Sequence, residues 1–254
     1  MLLVIDLGNT NLTLGLFEKK NLGPHWRLAT EHARMPDEYG IQIHTLLQTS
    51  KIQTKDIDGI CLSSVVPPLT QSIREACKIY LQKDVLNVTS ALKTNITILY
   101  DNPKEVGADR IADAVAVQKI YGGPACIIDF GTATTFNALT KKGEYLGGAI
   151  MPGIGTAADS LVRRTAKLPP VELQAPPSVI GRNTIHAMQA GLIFGYVSLV
   201  EGMVYRYRKE LGKNMKVIST GGYAQIIARH TKSIEYVKPW LTLEGLQIIW
   251  ELNN

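Results

Sequence analysis

Short hydrophobic runs near the start and the middle of the chain each end at a glycine turn. One run occupies residues 2–5 and leads into residues 6–10, Asp-Leu-Gly-Asn-Thr. The other occupies residues 126–128 and leads into residues 129–134, Asp-Phe-Gly-Thr-Ala-Thr, 123 residues further along. After each turn, apolar and polar residues alternate with a period of two, which predicts a β-hairpin. The chain therefore contains two similar strand–turn–strand segments.

The rest of the chain alternates predicted strands and helices. A further strand is predicted in each half, at 25–30 and at 145–150, and a helix is expected after each. Other strands are predicted at 59–66, 85–88, 216–219 and 235–237, and helices at 69–81, 106–121, 184–211 and 243–252. This order predicts an α/β fold of two duplicated lobes with mixed sheets around a central cleft. The expected lobes are residues 1–122 and 123–254.

Composition and charge narrow the class of protein. With 45% hydrophobic and 19% charged residues in 254, the chain is globular and not disordered. Its net charge of +5 is scattered, which does not indicate a nucleic-acid-binding arm and suits a small anionic ligand; the alternative is a surface with a few extra lysines. Three cysteines without a C-x-x-C pair indicate a reducing compartment, the cytoplasm. The apolar stretch 187–204 carries polar residues and three glycines, so we interpret it as a core helix and expect no membrane partner.

The two glycine turns have the composition of phosphate-binding loops. Successive N–H groups of such a turn converge on an anion, and glycine allows a ligand to approach the backbone. Asp6 would repel a phosphate unless a divalent cation lay between them, so the first turn predicts a phosphate with a metal ion. The second turn, which follows Asp129, offers the same groups, and the pair suits a nucleoside triphosphate. The alternative is that each Asp-x-Gly is a purely structural turn.

A third glycine segment and several absent motifs refine this hypothesis. Gly221 and Gly222 follow a predicted strand, where a flat ring such as adenine could lie against the backbone; a tight strand-to-helix turn is the alternative. No G-x-x-x-x-G-K-[ST] sequence is present, which excludes a P-loop. Residues 153–158 spell G-x-G-x-x-A, but Pro152 precedes them and no acid ends a second strand about twenty residues later, which argues against a dinucleotide site. The histidines lack zinc-ligand spacing.

The segment 106–113 carries a candidate catalytic base. Asp109 and Arg110 are expected in the first turn of a helix, beside Gly107. Phosphoryl transfer to an alcohol needs a carboxylate that orients the hydroxyl and accepts its proton. An adjacent arginine can bind a carboxylate or phosphate through two hydrogen bonds. The alternative is that Asp109 only stabilises the helix N-terminus.

Taken together, these motifs resemble the type III pantothenate kinases of the acetate/sugar-kinase–Hsp70–actin superfamily. The matching segments run in the family's order across nearly the whole chain: residues 6–10, 107–110, 129–135, 145–150, 181–184 and 219–222. The resemblance implies two ribonuclease-H-like lobes, a homodimer, and ATP-dependent phosphorylation of pantothenate, the first step of coenzyme A synthesis. It also implies two kinds of ion, Mg²⁺ or another divalent cation with ATP, and K⁺ or NH₄⁺.

The resemblance assigns roles to individual residues. Asp109 would accept the proton, Asp129 would bind the monovalent cation, and Asp6 the divalent one. The ATP-binding set would be Asp6, Leu7, Gly8, Asn9, Thr10, Asn11, Leu12, Thr13 and Thr132. To this set we add Gly221 and Gly222, the candidate adenine-binding segment inferred above from the residues themselves. The pantothenate-binding set would be Tyr100, Gly107, Ala108, Asp109, Arg110 and Thr184. Two alternatives stay open: a non-catalytic transcription accessory factor of the same fold, and a kinase of another small hydroxy acid or sugar.

Overall fold

The computed structural model describes all 254 residues, in eleven strands and seven helices. The strands are β1 (Leu2–Leu7), β2 (Asn11–Glu18), β3 (Asn21–Ala29), β4 (Gly59–Ser64), β5 (Val85–Asn87), β6 (Thr97–Ile98), β7 (Ala125–Phe130), β8 (Ala133–Leu139), β9 (Glu144–Pro152), β10 (Lys216–Thr220) and β11 (Tyr236–Val237). The helices are α1 (Pro36–Thr49), α2 (Pro67–Ala76), α3 (Ala108–Ile120), α4 (Ile154–Arg164), α5 (Thr184–Leu211), α6 (Ala224–Ala228) and α7 (Leu241–Asn253).

The chain divides into two compact units. The first comprises Met1–Ile96, Tyr100–Ala116 and Leu241–Asn254, and the second comprises Thr97–Leu99 and Val117–Trp240. The sequence predicts a single boundary between residues 122 and 123, whereas the C-terminal helix α7 belongs to the first unit. It does so because α7 packs against β1 and β4 of the first sheet.

The two sheets share one strand order. The first sheet is ordered β3-β2-β1-β4-β5 and the second β11-β10-β7-β8-β9-β6. Adding six to each strand number of the first sheet gives β9-β8-β7-β10-β11. This is the order of the second sheet, which has β6 as an additional strand beside β9. In both sheets the first two strand pairs are antiparallel and the pairs β1–β4 and β7–β10 are parallel. This confirms the predicted α/β fold with two duplicated halves and mixed sheets.

Strand β1 is hydrophobic on both faces because both faces are covered. Leu3, Ile5 and Leu7 lie in one core cluster with side chains of α1 and α2, while α7 packs on the sheet as well. A central strand with neighbours on both edges and helices over it reads as a continuous apolar run. Asp6 is the one residue of β1 that is only partly buried. Its carboxyl group therefore lies near the end of an otherwise apolar strand.

Helix α5 has the bounds that the sequence predicts. By length and composition alone it could cross a membrane, but half of its most apolar window is buried inside the protein. Ile193, Val197 and Val200 pack there in one cluster with Cys126 and other residues of the second sheet. These contacts support its interpretation as a core helix.

Candidate active site

The first glycine turn joins β1 to β2 at the end of a buried strand. Leu7 pairs with Leu12 across the hairpin, so four residues form the turn. The Gly8 N–H donates to the Asn11 carbonyl at 2.9 Å and closes it. Asn9 and Thr10 are exposed at the tip. The tip of the predicted phosphate-binding turn is thus exposed to solvent.

The second glycine turn is one residue shorter. Phe130 pairs with Thr134, which leaves three residues between β7 and β8. The Gly131 N–H donates to the Ala133 carbonyl at 3.1 Å, and Thr132 is exposed at the tip. In the sequence the two segments keep a constant offset of 123 residues. The shorter second turn therefore becomes apparent only from the strand pairing within each hairpin.

Asp6 carries an unusual carboxyl group. Burial and, to a lesser extent, the charge of Asp109 raise its pKa from 3.8 to about 7, and the Ser63 hydroxyl opposes part of this rise. Ser63 is fully buried and stands opposite Asp6 on the neighbouring strand β4. In a parallel pair, directly opposite residues share one face of the sheet. A cation that binds Asp6 would therefore replace a proton that the carboxyl group otherwise retains near neutral pH.

Asp109 lies at the start of α3, as predicted. Its Oδ1 accepts a hydrogen bond from the Arg110 backbone N–H at 2.7 Å. Burial raises the pKa of Asp109, while this hydrogen bond and the Arg110 guanidinium charge oppose the rise. A carboxyl group with a raised pKa is a stronger base once ionised, which suits a proton acceptor.

Gly107 makes room for that carboxyl group. A Cβ at residue 107 would lie 2.5 Å from Asp109 Oδ1 and 3.3 Å from a methyl group of Val65. Any side chain here would displace the carboxylate. Glycine at this position therefore allows the Asp109 carboxyl group to occupy its place beside the backbone.

Two charged residues on α3, next to or near Asp109 in sequence, are buried. Arg110 is only 8% exposed and Asp113 only 1%. Asp113 Oδ1 accepts a hydrogen bond from Thr242 of α7 at 2.8 Å. Neither Asp113 nor Ser63 has a role predicted from the sequence. Ser63 could have been found only from the strand register, whereas the spacing of Asp113 from Arg110 on one helix was a readable signal.

In the second unit, Asp129 and Gly221 come together. A Cβ at residue 221 would lie 2.4 Å from Asp129 Oδ1, and this glycine has a φ of +90°. Thr220, the residue before it, pairs with Asp129 between β10 and β7. Gly222 is exposed with open space around it. The predicted cation ligand and one of the predicted ring-binding glycines are thus neighbours.

Two predicted pantothenate contacts lie outside these clusters. Tyr100 is half-buried in a segment of the first unit that precedes a 3₁₀ turn at Pro103–Glu105. Thr184 is exposed at the first position of α5 in the second unit. Asn183 caps that helix, because its side chain accepts a hydrogen bond from the His186 N–H at 2.8 Å. The roles of Tyr100 and Thr184 stay predictions.

The donor set fits a divalent ion that arrives with ATP. No group of three or more His, Cys, Asp or Glu residues could hold a metal ion by itself. Mg²⁺ is usually bound through one or two carboxylates together with substrate phosphates. Asp6, whose pKa is raised by burial and by Asp109, can supply such a carboxylate.

The duplicated mixed sheets, a glycine turn at the end of each first strand, and a carboxylate at a helix start are the arrangement expected of a kinase of the actin-like class. The sequence model of the type III pantothenate kinase family matches residues 2–206. The chain is 50% identical to the type III pantothenate kinase of Roseiflexus sp. strain RS-1 and 49% identical to that of Moorella thermoacetica, in each case over 254 residues and all of both chains. The chain belongs to the type III pantothenate kinase family.

Solved structures support the fold. A Campylobacter jejuni protein described as a Baf family transcriptional activator superposes with a TM-score of 0.63 at 20% identity, covering 98% of this chain and 97% of that one. The polyphosphate/ATP-glucomannokinase of Arthrobacter sp. strain KM gives 0.52 at 14% identity, covering 100% and 99%. At these identities, the similarity concerns architecture alone.

Proposed function

We propose that this chain transfers the γ-phosphoryl group of ATP to the primary hydroxyl of pantothenate. The products are ADP and 4′-phosphopantothenate, so the reaction opens coenzyme A synthesis. Full-length relatives at about 50% identity support the substrate. The observation that carries the proposal is the Asp109 carboxylate, which lies beside Arg110 and close enough to Asp6 for their charges to interact.

Asp109 acts as the proton acceptor in this reaction. The hydroxyl oxygen of pantothenate forms a bond to the γ-phosphorus as the bond to the ADP oxygen breaks, and Asp109 takes the hydroxyl proton. The adjacent Arg110 binds the carboxylate of pantothenate. Gly107 and Ala108 place the backbone against the same substrate, and Tyr100 and Thr184 complete the pantothenate contacts.

Both glycine turns contact ATP in this proposal. The backbone N–H groups of the first turn, supported by polar side chains, bind the phosphates, and Thr132 adds a contact from the second turn. The Gly221–Gly222 segment receives the adenine ring. The full set is Asp6, Leu7, Gly8, Asn9, Thr10, Asn11, Leu12, Thr13, Thr132, Gly221 and Gly222.

Two ions and a second subunit belong to the same proposal. A divalent cation at Asp6 neutralises phosphate charge, and K⁺ or NH₄⁺ is held by Asp129. The protein works as a homodimer in which Thr184 reaches pantothenate across the interface. Three free, buried cysteines are compatible with a cytoplasmic location.

An ADP-release assay tests the reaction. The purified protein with Mg-ATP and K⁺ is offered pantothenate, acetate, glycerol or glucose in separate reactions. We expect turnover with pantothenate alone. Turnover with another acceptor would favour the alternative kinase, and no turnover with any of them would favour the transcription factor.

Replacing the base provides a sharper test. Asp109→Asn keeps the shape of the side chain but cannot accept the proton, so we expect kcat to fall by roughly 10²–10⁴-fold while ATP still binds. Asp159→Asn, at an exposed position of α4, makes the same chemical change outside the proposed set of site residues and serves as the control. A kcat of the Asp109 variant near that of the control would contradict the base assignment.

A further inference from the structure

Each glycine turn is held from outside by a threonine hydroxyl. In the first unit, Thr30 follows β3, and its Oγ1 donates to the Gly8 carbonyl at 2.7 Å. The Thr30 N–H donates to the Thr10 carbonyl at 2.9 Å. A single residue thus fixes two carbonyl groups of the four-residue turn.

The second unit has an equivalent arrangement from different residues. Gly153 follows β9 and lies 123 residues after Thr30, the offset that separates the two turns. Its N–H donates to the Thr132 carbonyl at 3.0 Å. Glycine has no hydroxyl, and Thr156 in the first turn of α4 supplies one, donating to the same carbonyl at 2.7 Å. Both duplicated halves therefore combine a backbone donor at this position with a threonine hydroxyl.

These bonds set the direction of the ligand-facing N–H groups. In a planar trans peptide, the carbonyl of one residue and the N–H of the next point in opposite directions. Pulling the Gly8 carbonyl toward Thr30 aims the Asn9 N–H away from Thr30. Pulling the Thr132 carbonyl toward α4 likewise aims the Ala133 N–H away from the helix. Donors that are already aimed need not reorder when an anion binds.

We propose that Thr30 and Thr156 are positioning residues that orient the two glycine turns for the phosphates of ATP. This inference rests on the proposed function, in which both turns contact ATP. Neither threonine belongs to the hydrophobic core, since Thr156 is exposed and Thr30 is half-buried. Both carbonyl acceptors belong to residues of the predicted ATP-binding set, Gly8 and Thr132.

Thr30→Val and Thr156→Val test the proposal, because valine keeps the branched shape and removes the hydroxyl. Loss of a single hydrogen bond that orients a binding group is expected to weaken affinity roughly two- to tenfold. We expect the KM for ATP and the Kd of a non-hydrolysable ATP analogue, measured by calorimetry, to rise by that factor. The KM for pantothenate should not change, Thr→Ser at either position should restore ATP affinity, and the double valine variant should show the product of the two effects.

Thr165→Val is the matched control. The Thr165 hydroxyl donates to the Leu161 carbonyl at 2.8 Å at the other end of α4, so the variant loses the same type of bond away from the turn. An ATP affinity that is unchanged in both turn variants, or lowered equally in the control, would overturn the inference even if the wild type phosphorylates pantothenate. A wild type that binds the analogue but does not phosphorylate pantothenate would contradict the proposed reaction, and the same calorimetric comparison would still decide the role of the two threonines.

Discussion

Asp6 should lower the stability of the ligand-free protein at neutral pH. Burial and the charge of Asp109 raise its pKa from 3.8 to about 7. The folded protein therefore retains a proton that the unfolded chain releases above pH 3.8, so the free energy of unfolding falls as the pH rises from about 4 to about 7. The difference between the two pKa values corresponds to an upper limit of about 4 kcal/mol.

Asp6→Asn removes this penalty without changing the shape of the side chain. We expect the variant to be more stable than the wild type by about 1–4 kcal/mol at pH 8. At pH 4.5 the carboxyl group of the folded wild type still carries its proton, but most of the unfolded chain has already released it, so the two proteins should differ by at most about 1 kcal/mol. The variant should at the same time lose kinase activity, because the proposed ligand of the divalent cation is gone.

Urea unfolding at pH 4.5 and pH 8 measures the effect, with EDTA present because a bound cation would favour the ionised form. Asp101→Asn at an exposed position is the control for a change of net charge. An Asp6→Asn variant that is no more stable than the wild type at pH 8 would refute the reasoning, as would a stability difference that is equal at both pH values.

Three further predictions follow from the site. Replacing K⁺ by Na⁺ should lower kcat, and Asp129→Asn should remove the difference between the salts; equal wild-type rates in both would exclude a selective cation at Asp129. Gly107→Ala places a methyl group 2.5 Å from Asp109 Oδ1, so kcat should fall at least about tenfold with the KM for ATP unchanged, and a normal kcat would show that Asp109 tolerates displacement. Light scattering at micromolar concentration should give twice the mass of the chain, and a monomeric mass would contradict the homodimer.

The sequence predicts well those features that depend on local patterns. The strand before Asp6, the hairpin after it and the whole of α5 are confirmed, because apolar periodicity and capping are read from neighbouring residues. The helix predicted at 69–81 is two segments, α2 (Pro67–Ala76) and a π-helical turn at Cys77–Leu81. This change in hydrogen bonding leaves the direction of the chain intact, so the sequence pattern does not reveal it.

Features that depend on strand register or on tertiary contacts could not be predicted. Ser63 affects the pKa of Asp6 because β4 pairs with β1 in one particular register, and no local signal marks this serine. Helix α7 belongs to the first unit because of its packing, although it ends the chain. Asp113 meets Thr242 across 129 residues of sequence. In each case, the residues are chemically ordinary and acquire their role from a distant partner.

The two duplicated halves share one strand order but surround the aspartate of their central strand differently. Both halves place an aspartate at the penultimate position of the central strand and a glycine turn directly after it. In the first half, the turn has four residues, and the neighbouring carboxylate of Asp109 raises the pKa of Asp6. In the second half, the turn is one residue shorter, and the backbone of Gly221 lies against Asp129 instead of a second acid. The same strand–turn unit is thus surrounded differently in the two halves, which is why the proposed function assigns a divalent cation to Asp6 and a monovalent cation to Asp129.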